Sequence, residues 1–105
     1  MITQTVNPEF ALKVDAHSFC IIPQSAPGFY SYTPYLELAE RIPDHLDVVI
    51  DCTKIEVMDS VGLGVFLLFH QALGEKAYTI AIRNLHPKLE RLFKVAGLDQ
   101  VFRLV

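Results

Sequence analysis

The segment at residues 48–50 constrains the fold of this chain more than any other. Its three β-branched residues, Val48, Val49 and Ile50, form an uninterrupted apolar run that leads into Asp51. A run that is apolar on both faces is typical of a central strand with cover on both sides, as in parallel sheets flanked by helices. This segment therefore predicts an α/β domain built on a parallel sheet.

Before this strand, the sequence predicts two strands and one helix. Alternating apolar residues indicate a strand over 10–14, and a short apolar run ending at Pro23 indicates another over 19–22. Turn-forming residues fill 23–32. Thr33 then has the character of an N-cap, with Pro34 at the first helical position and Pro43 ending the helix.

After the central strand, two further helices and two strands are expected. The first helix covers residues 61–73, with Ser60 as N-cap and Gly74 as its stop. A strand follows over 78–82, and a helix then begins at His86 and Pro87 and ends before Gly97. A short strand over 101–104 closes the order β-β-α-β-α-β-α-β, which predicts a mainly parallel sheet.

Composition limits the organisation and the partners of the chain. Its 105 residues fit one domain, spanning 1–105, and 51% of them are apolar. A net charge of -3 without a run of Lys or Arg argues against direct nucleic-acid binding. No signal peptide is visible, and the uncharged stretch 16–36 holds three prolines, so we expect a cytoplasmic chain without membrane insertion.

Few residues are arranged for chemistry. Cys20 and Cys52 form no CxxC pair and are expected to be buried thiols, and no metal or cofactor site is expected. Gly62 and Gly64 lack the third glycine of a dinucleotide loop. Ser60 is not set in a G-x-S-x-G elbow, so we expect a protein that is not an enzyme.

The window around Ser60 is the strongest functional candidate, although each of its features has a structural alternative. Ser60 lies at a helix start, either as a simple N-cap or as an accessible hydroxyl. Gly62 and Gly64 allow either tight packing on the sheet or close approach of another backbone or an enzyme to Ser60. The helix is apolar almost all round over 61–69, which indicates either complete burial or a docking surface.

The run VVIDCTKIEVMDSVGLGVFLL resembles the signature of STAS domains, and in particular of bacterial anti-sigma factor antagonists. In that family, a buried strand and a loop precede Asp-Ser-(Ser/Thr)-Gly-Leu-Gly, which opens a central helix. The tail YTIAIRNLHPKLERLFKVAGLDQVFRLV is similar as well. The resemblance extends from Val48 to the C-terminus and implies a single STAS-like domain.

The resemblance also implies a partner switch. The unmodified antagonist binds an anti-sigma factor that is also a serine kinase, phosphorylation breaks the complex, and a serine phosphatase restores it. Ser60 matches the phosphorylated serine. The implied partner-binding residues are Asp59, Ser60, Val61, Gly62, Leu63 and Gly64.

Two departures from the family pattern leave other functions open. Val61 replaces the second hydroxyl residue of the motif, and the usual Gly-x-Leu/Ile-Asp segment is absent from 24–35. One alternative is a STAS subunit of a membrane transporter, such as a lipid ABC system. Another is a partner switch with a non-transcriptional output, and a third is a scaffold that forms a homodimer through the apolar helix.

Overall fold

A central parallel sheet with an antiparallel extension organises the fold. The computed structural model describes residues 2–76 and 80–105, with the side chains of 8–75 and 80–105. Within these residues, six strands form one sheet in which strand order equals chain order, and three helices are present. The elements are β1 (Ile2–Asn7), β2 (Phe10–Val14), β3 (Ser18–Pro23), α1 (Tyr32–Arg41), β4 (Asp47–Asp51), α2 (Ser60–Leu73), β5 (Ile80–Arg83), α3 (Pro87–Val95) and β6 (Arg103–Leu104).

Strand pairing confirms the α/β class and adds one strand to the expected order. The pairs β1–β2 and β2–β3 are antiparallel, whereas β3–β4, β4–β5 and β5–β6 are parallel. The sequence did not predict β1, because four of its six residues are polar and alternation is weak. β1 pairs through its backbone with β2 at the edge of the sheet, and a local sequence pattern does not report such pairing.

The register of β4 places its side chains on two different faces. Val48 and Ile50 are fully buried and belong to the core cluster, which contains every buried apolar side chain of the three helices. Val49 points to the opposite face, where it is half-buried and outside that cluster. The expectation of helix cover on both faces was therefore wrong, although β4 does lie inside the sheet between β3 and β5.

The start of α1 differs from its prediction. The helix begins at Tyr32, so Thr33 is not the N-cap and Pro34 is the third helical residue. Pro34 is tolerated there because the first-turn N–H groups have no partner within a helix. Residues Phe29–Ser31 form a 3₁₀ turn that leads directly into α1 and so moves its start forward. The helix ends at Arg41, before Pro43, as expected.

The C-terminal elements follow the sequence closely. His86 caps α3, its Nδ1 accepting a hydrogen bond from the Lys88 N–H at 3.2 Å, and Pro87 is the first helical residue. Gly97 adopts the left-handed conformation expected after a helix end, with φ of 76°. The predicted strand over 78–82 is confirmed from Ile80, and residues 78 and 79 lie outside the described residues. The last strand is shorter than expected, covering Arg103–Leu104.

Both cysteines are buried thiols, as expected from the sequence. Burial raises the pKa of Cys20, and it raises the pKa of Cys52 to about 12. A thiol with a raised pKa carries little of the reactive thiolate at neutral pH. Cys52 therefore acts as a small apolar group within the core, whereas the Cys20 sulfur accepts a hydrogen bond from the Arg83 guanidinium at 3.6 Å.

Tyr35 holds the centre of the core together through its ring. The ring packs edge-on against Phe10, Phe66 and Phe69, with centroid distances of 5.0, 5.9 and 5.8 Å. Only 1% of the residue is exposed, and burial raises the pKa of its hydroxyl. Within the described part of the chain, that hydroxyl has no hydrogen-bond partner. The ring thus stabilises the core while its hydroxyl carries a desolvation cost.

We expect Tyr35→Phe to raise the free energy of unfolding by about 1 kcal/mol, because it keeps the ring and removes the unpaired hydroxyl. Urea unfolding followed by circular dichroism measures the change. Tyr30→Phe is the matched control, because this tyrosine is 91% exposed and its hydroxyl is in water. The control should stay within about 0.5 kcal/mol of the wild type. A loss of stability in Tyr35→Phe would show that the hydroxyl is paired.

Candidate functional site

The N-terminus of α2 is capped by Asp59. Its Oδ1 accepts hydrogen bonds from the backbone N–H groups of Val61 and Gly62, at 3.0 and 3.1 Å. The prediction of Ser60 as N-cap was therefore wrong by one residue. Both residue types cap helices well, but a carboxylate also interacts favourably with the positive end of the helix dipole.

Because Asp59 takes the capping position, Ser60 becomes the first residue of α2 and is exposed. Within the described residues, no group forms a hydrogen bond with its hydroxyl. The side chain is therefore not used in holding the fold. An exposed, unpaired hydroxyl at a helix start is accessible to a modifying enzyme.

Asp51 is the last residue of β4, and its side chain links this strand to the end of β5. The loop that leads to Ser60 follows directly after Asp51. Its carboxylate accepts hydrogen bonds from the backbone and hydroxyl of Thr53, from Asn84 at 3.1 Å, and from Arg83 at 3.2 Å. Burial by itself raises the pKa of this carboxyl, but the hydrogen bonds together lower the pKa below its usual value. The loop that carries Asp59 thus begins from a fixed point.

Gly62 and Gly64 are sites of close packing rather than open space. A Cβ on Gly62 would collide with Met58 and lie 3.0 Å from the carbonyl oxygen of Pro27. A Cβ on Gly64 would lie 2.8 Å from the hydroxyl of Tyr32. Tight packing is confirmed for both glycines, but its expected location on the sheet was wrong, because the nearest atoms belong to Met58, Pro27 and Tyr32, which lie outside the sheet. The two glycines allow the segment around the start of α1 to lie against the first turns of α2.

The apolar helix is buried along one side and partly accessible along the other. Gly62, Val65, Phe66, Phe69 and Leu73 are buried. Leu63 and Leu67 are half-buried against the core, whereas Val61 and Leu68 are half-buried outside the core cluster. Most of the apolar excess in α2 is therefore explained by the core, and a narrow apolar strip stays accessible beside Ser60.

Comparison with known proteins assigns the family. The model of the STAS domain family matches residues 13–105. The chain belongs to the STAS domain family. Two crystal structures share the fold: a putative anti-sigma factor antagonist from Thermotoga maritima, with a TM-score of 0.74 and 15% identity, and an anti-sigma factor antagonist from Mycobacterium paratuberculosis, with a TM-score of 0.68 and 19% identity. Each comparison covers 90% of this chain, and 84% and 82% of the respective structures.

Curated relatives of this STAS domain have a regulatory name. Two proteins named anti-sigma-B factor antagonist, from Listeria monocytogenes and Listeria innocua, are each 34% identical over 64 residues. The alignment covers 61% of this chain and spans 56% of each relative's length. The relatives and the structural neighbours therefore carry the same regulatory description.

The structure of the STAS domain also exposes two aromatic residues for which the sequence predicts only a turn. Phe29 and Tyr30 are 78% and 91% exposed. Their position just before α1 places them in the segment 24–35 that departs from the family pattern. The aromatic run Phe-Tyr-Ser-Tyr at 29–32 was the available signal, because a turn rarely needs large aromatic side chains.

Other features of the STAS domain lie apart from Ser60. An open depression of about 550 Å³ is lined by Thr53, Ile55, Glu56, Asn84, Leu85 and His86, and residues 59–64 do not line it. Among the described residues, no three His, Cys, Asp or Glu side chains are grouped to hold a metal ion. No helix in the described residues has the length and apolar character to cross a bilayer.

We expect Gly62→Ala to destabilise the STAS domain by about 1–2 kcal/mol. The new methyl group collides with Met58, and the cost of this collision exceeds the gain from the higher helix propensity of alanine. The measurement is a double-mutant cycle with Met58→Ala in urea unfolding. The decrease in the free energy of unfolding of the double variant should be smaller than the sum of the two single decreases by at least about 1 kcal/mol.

Gly64→Ala is the matched control for this cycle. Only the hydroxyl end of Tyr32 has to move, so the loss should stay within about 0.5 kcal/mol. Additive effects of Gly62→Ala and Met58→Ala would contradict the packing explanation.

We expect Asp51→Asn to lower the free energy of unfolding at pH 7 by about 1–3 kcal/mol, because charge-assisted hydrogen bonds are lost. The lowered pKa of Asp51 means that its contribution is complete above the unfolded-state value of 3.8 and disappears as the pH falls through the folded-state value. Urea unfolding of both proteins between pH 7 and strongly acidic pH tests this. A difference that stays constant with pH would contradict the role of the charge.

Proposed function

We propose that this STAS domain is an anti-sigma factor antagonist controlled by phosphorylation of Ser60. The unphosphorylated form binds an anti-sigma factor that is also a serine kinase, and a serine phosphatase reverses the modification. The observation that carries the proposal is the exposed, unpaired hydroxyl of Ser60 beside the capping carboxylate of Asp59. The regulatory names of the curated relatives support it.

The cap explains how the fold would tolerate phosphorylation. A phosphoserine adds roughly -1.5 to -2 charges. The N–H groups of Val61 and Gly62 already donate to Asp59, so a phosphate on Ser60 gains little from them and stays in water. Among the described residues the Ser60 hydroxyl forms no hydrogen bond, so its modification breaks none of their contacts.

The same charge would be costly inside a complex. Phosphoserine next to Asp59 concentrates about three negative charges on one helix start. Docking removes water from such a group, and an uncompensated buried charge costs several kcal/mol. The antagonist therefore keeps its fold when phosphorylated but loses its partner.

Within the motif, the residues contribute in two ways. Asp59 and Ser60 are exposed and Val61 and Leu63 half-buried, so these four are proposed to contact the partner directly. Gly62 is buried below Met58, and Gly64 lies against Tyr32. The two glycines therefore contribute to binding through the shape of the surface.

We also propose a cytoplasmic, non-enzymatic role, and the contacts of the other polar residues support the non-enzymatic part. The residue types of a hydrolytic triad are engaged separately: His86 caps α3, His70 packs against Phe102 at 5.5 Å, and Asp51 binds Arg83. None of these interactions directs a base toward Ser60. The partner is thus proposed to supply the phosphate-transfer chemistry.

We expect Ser60→Asp to weaken binding to the anti-sigma factor at least tenfold, because it places a second carboxylate at the interface beside Asp59. Titration calorimetry with each purified kinase-type anti-sigma factor of the source genome measures the affinity. Gln71→Glu is the matched control, since it adds one charge to an exposed position at the other end of α2 and should change the affinity less than twofold.

Phosphorylation itself is tested by incubation with the same kinase and ATP, followed by intact mass measurement and peptide mapping. One phosphate is expected on Ser60 in the wild type and none in Ser60→Ala. Full affinity in Ser60→Asp, or phosphate on another residue, would contradict the proposal. Binding of the wild type to a transporter subunit, with the same affinity in Ser60→Asp, would instead support the transporter alternative.

A further inference from the structure

Two aromatic side chains project from the surface just before α1. Phe29 and Tyr30 are among the most exposed large apolar residues of the described chain, at 78% and 91%. Exposed aromatic side chains grouped together mark interaction sites more often than isolated exposed residues do. Tyrosine is also enriched among the residues that contribute most to protein–protein binding.

The turn that carries this pair is held in place by partly buried hydrogen bonds. Ser31 is 2% exposed, and its hydroxyl accepts a hydrogen bond from the Gly28 N–H at 2.9 Å and donates one to Glu9 at 2.7 Å. The Ser31 N–H also donates to the Gly28 carbonyl at 2.9 Å. Because the backbone is fixed, the aromatic pair is presented at little further entropy cost on binding.

The same segment lies against the helix that begins at Ser60. The Tyr32 hydroxyl lies over Gly64, and the Pro27 carbonyl lies over Gly62. The Phe29 ring packs edge-on against Tyr32, with ring centroids 6.3 Å apart. The aromatic pair and the first turns of α2 therefore belong to one continuous surface.

The charge around this surface is mainly negative. Residues 25–40 and 55–69 contain four acidic side chains, Glu37, Glu40, Glu56 and Asp59, and no Lys or Arg, and we call these four residues the acidic border. Lys54 lies at the edge of the surface, where its Nζ donates a hydrogen bond to the Gln24 side chain at 2.7 Å. α1 and α2 pack against each other, so both segments border the same region. A partner of complementary charge must present basic side chains around an apolar centre.

We propose that Phe29 and Tyr30 are the specificity-determining anchor for the anti-sigma factor, which receives them in an apolar pocket bordered by Lys or Arg. This inference rests on the proposed function and adds the element that selects the partner. A second copy of this chain is a poorer occupant, because a symmetric contact brings the acidic border against itself. The anchor supplies affinity, while Ser60 controls whether the complex forms.

The test uses the full chain and each purified kinase-type anti-sigma factor of the source genome. The variants are Tyr30→Ser and the double variant Phe29→Ser/Tyr30→Ser. Val95→Ser is the matched control, since Val95 is an 82% exposed apolar residue on α3. Tyr30 alone provides the cleaner variant, because Phe29 also contacts Tyr32. Circular dichroism melting confirms that each variant is folded.

The double variant should weaken binding about 30-fold or more, whereas Val95→Ser should change it less than twofold. Raising the salt concentration should weaken wild-type binding, as expected for a basic partner surface. Binding by the double variant within twofold of the wild type, with Ser60→Asp still disruptive, overturns the anchor and leaves the proposed function intact.

The opposite results have equally definite meanings. Loss of binding in the double variant with full affinity in Ser60→Asp supports the anchor and contradicts phosphorylation control. Absence of binding to every anti-sigma factor overturns both proposals. A wild-type dimer in light scattering that Tyr30→Ser dissociates assigns the aromatic pair to self-association and overturns the anchor.

Discussion

The hydrogen bonds from the first turn of α2 to Asp59 are the interaction on which the rest of the site depends. By capping Val61 and Gly62, the carboxylate satisfies two N–H groups that the helix itself leaves open. Ser60 is exposed, and its hydroxyl has no hydrogen-bond partner in the described part of the chain. Had the serine been the cap, a phosphate there would remove a hydrogen bond from the fold. Separating the cap from the accessible hydroxyl makes a modification compatible with the folded state.

A second constraint is the close contact between two segments that are distant in sequence. The absence of side chains at Gly62 and Gly64 lets Pro27 and Tyr32 lie directly on α2. The glycines of the motif and the turn before α1 are therefore parts of one structure. Residues 59–64 are coupled in this way to the segment 24–35, which carries the exposed aromatic pair Phe29 and Tyr30.

The sequence predicted most of the elements whose local pattern is strong. The β-branched run of β4, the proline start of α3 and the left-handed Gly97 each follow from local chemistry, and all three are confirmed. The misses have physical causes that no local pattern reveals. β1 depends on backbone pairing with β2, and the start of α1 depends on Ser31, which bonds to Glu9 22 positions away.

Within the candidate site, the sequence identified the right segment but not which of its residues caps α2. Asp59 and Ser60 are adjacent and both suit the capping position, so local preference does not separate them. Only the observed hydrogen bonds assign the cap to Asp59. The exposure of Phe29 and Tyr30 was likewise not predictable from the sequence, since aromatic residues in a turn segment are as consistent with a core contact as with a surface position.

A switch of this kind needs affinity and control to come from different groups. If the acidic border supplied most of the binding energy, the complex would respond to salt as strongly as to phosphorylation, because both act on the same charges. An aromatic anchor contributes through burial of apolar surface, which salt weakens little. The desolvation cost of a phosphate on Ser60 would then only need to exceed the binding free energy that the aromatic anchor contributes. The contact between Tyr32 and Gly64 joins the segment that carries the aromatic pair to the first turns of α2, where Ser60 lies.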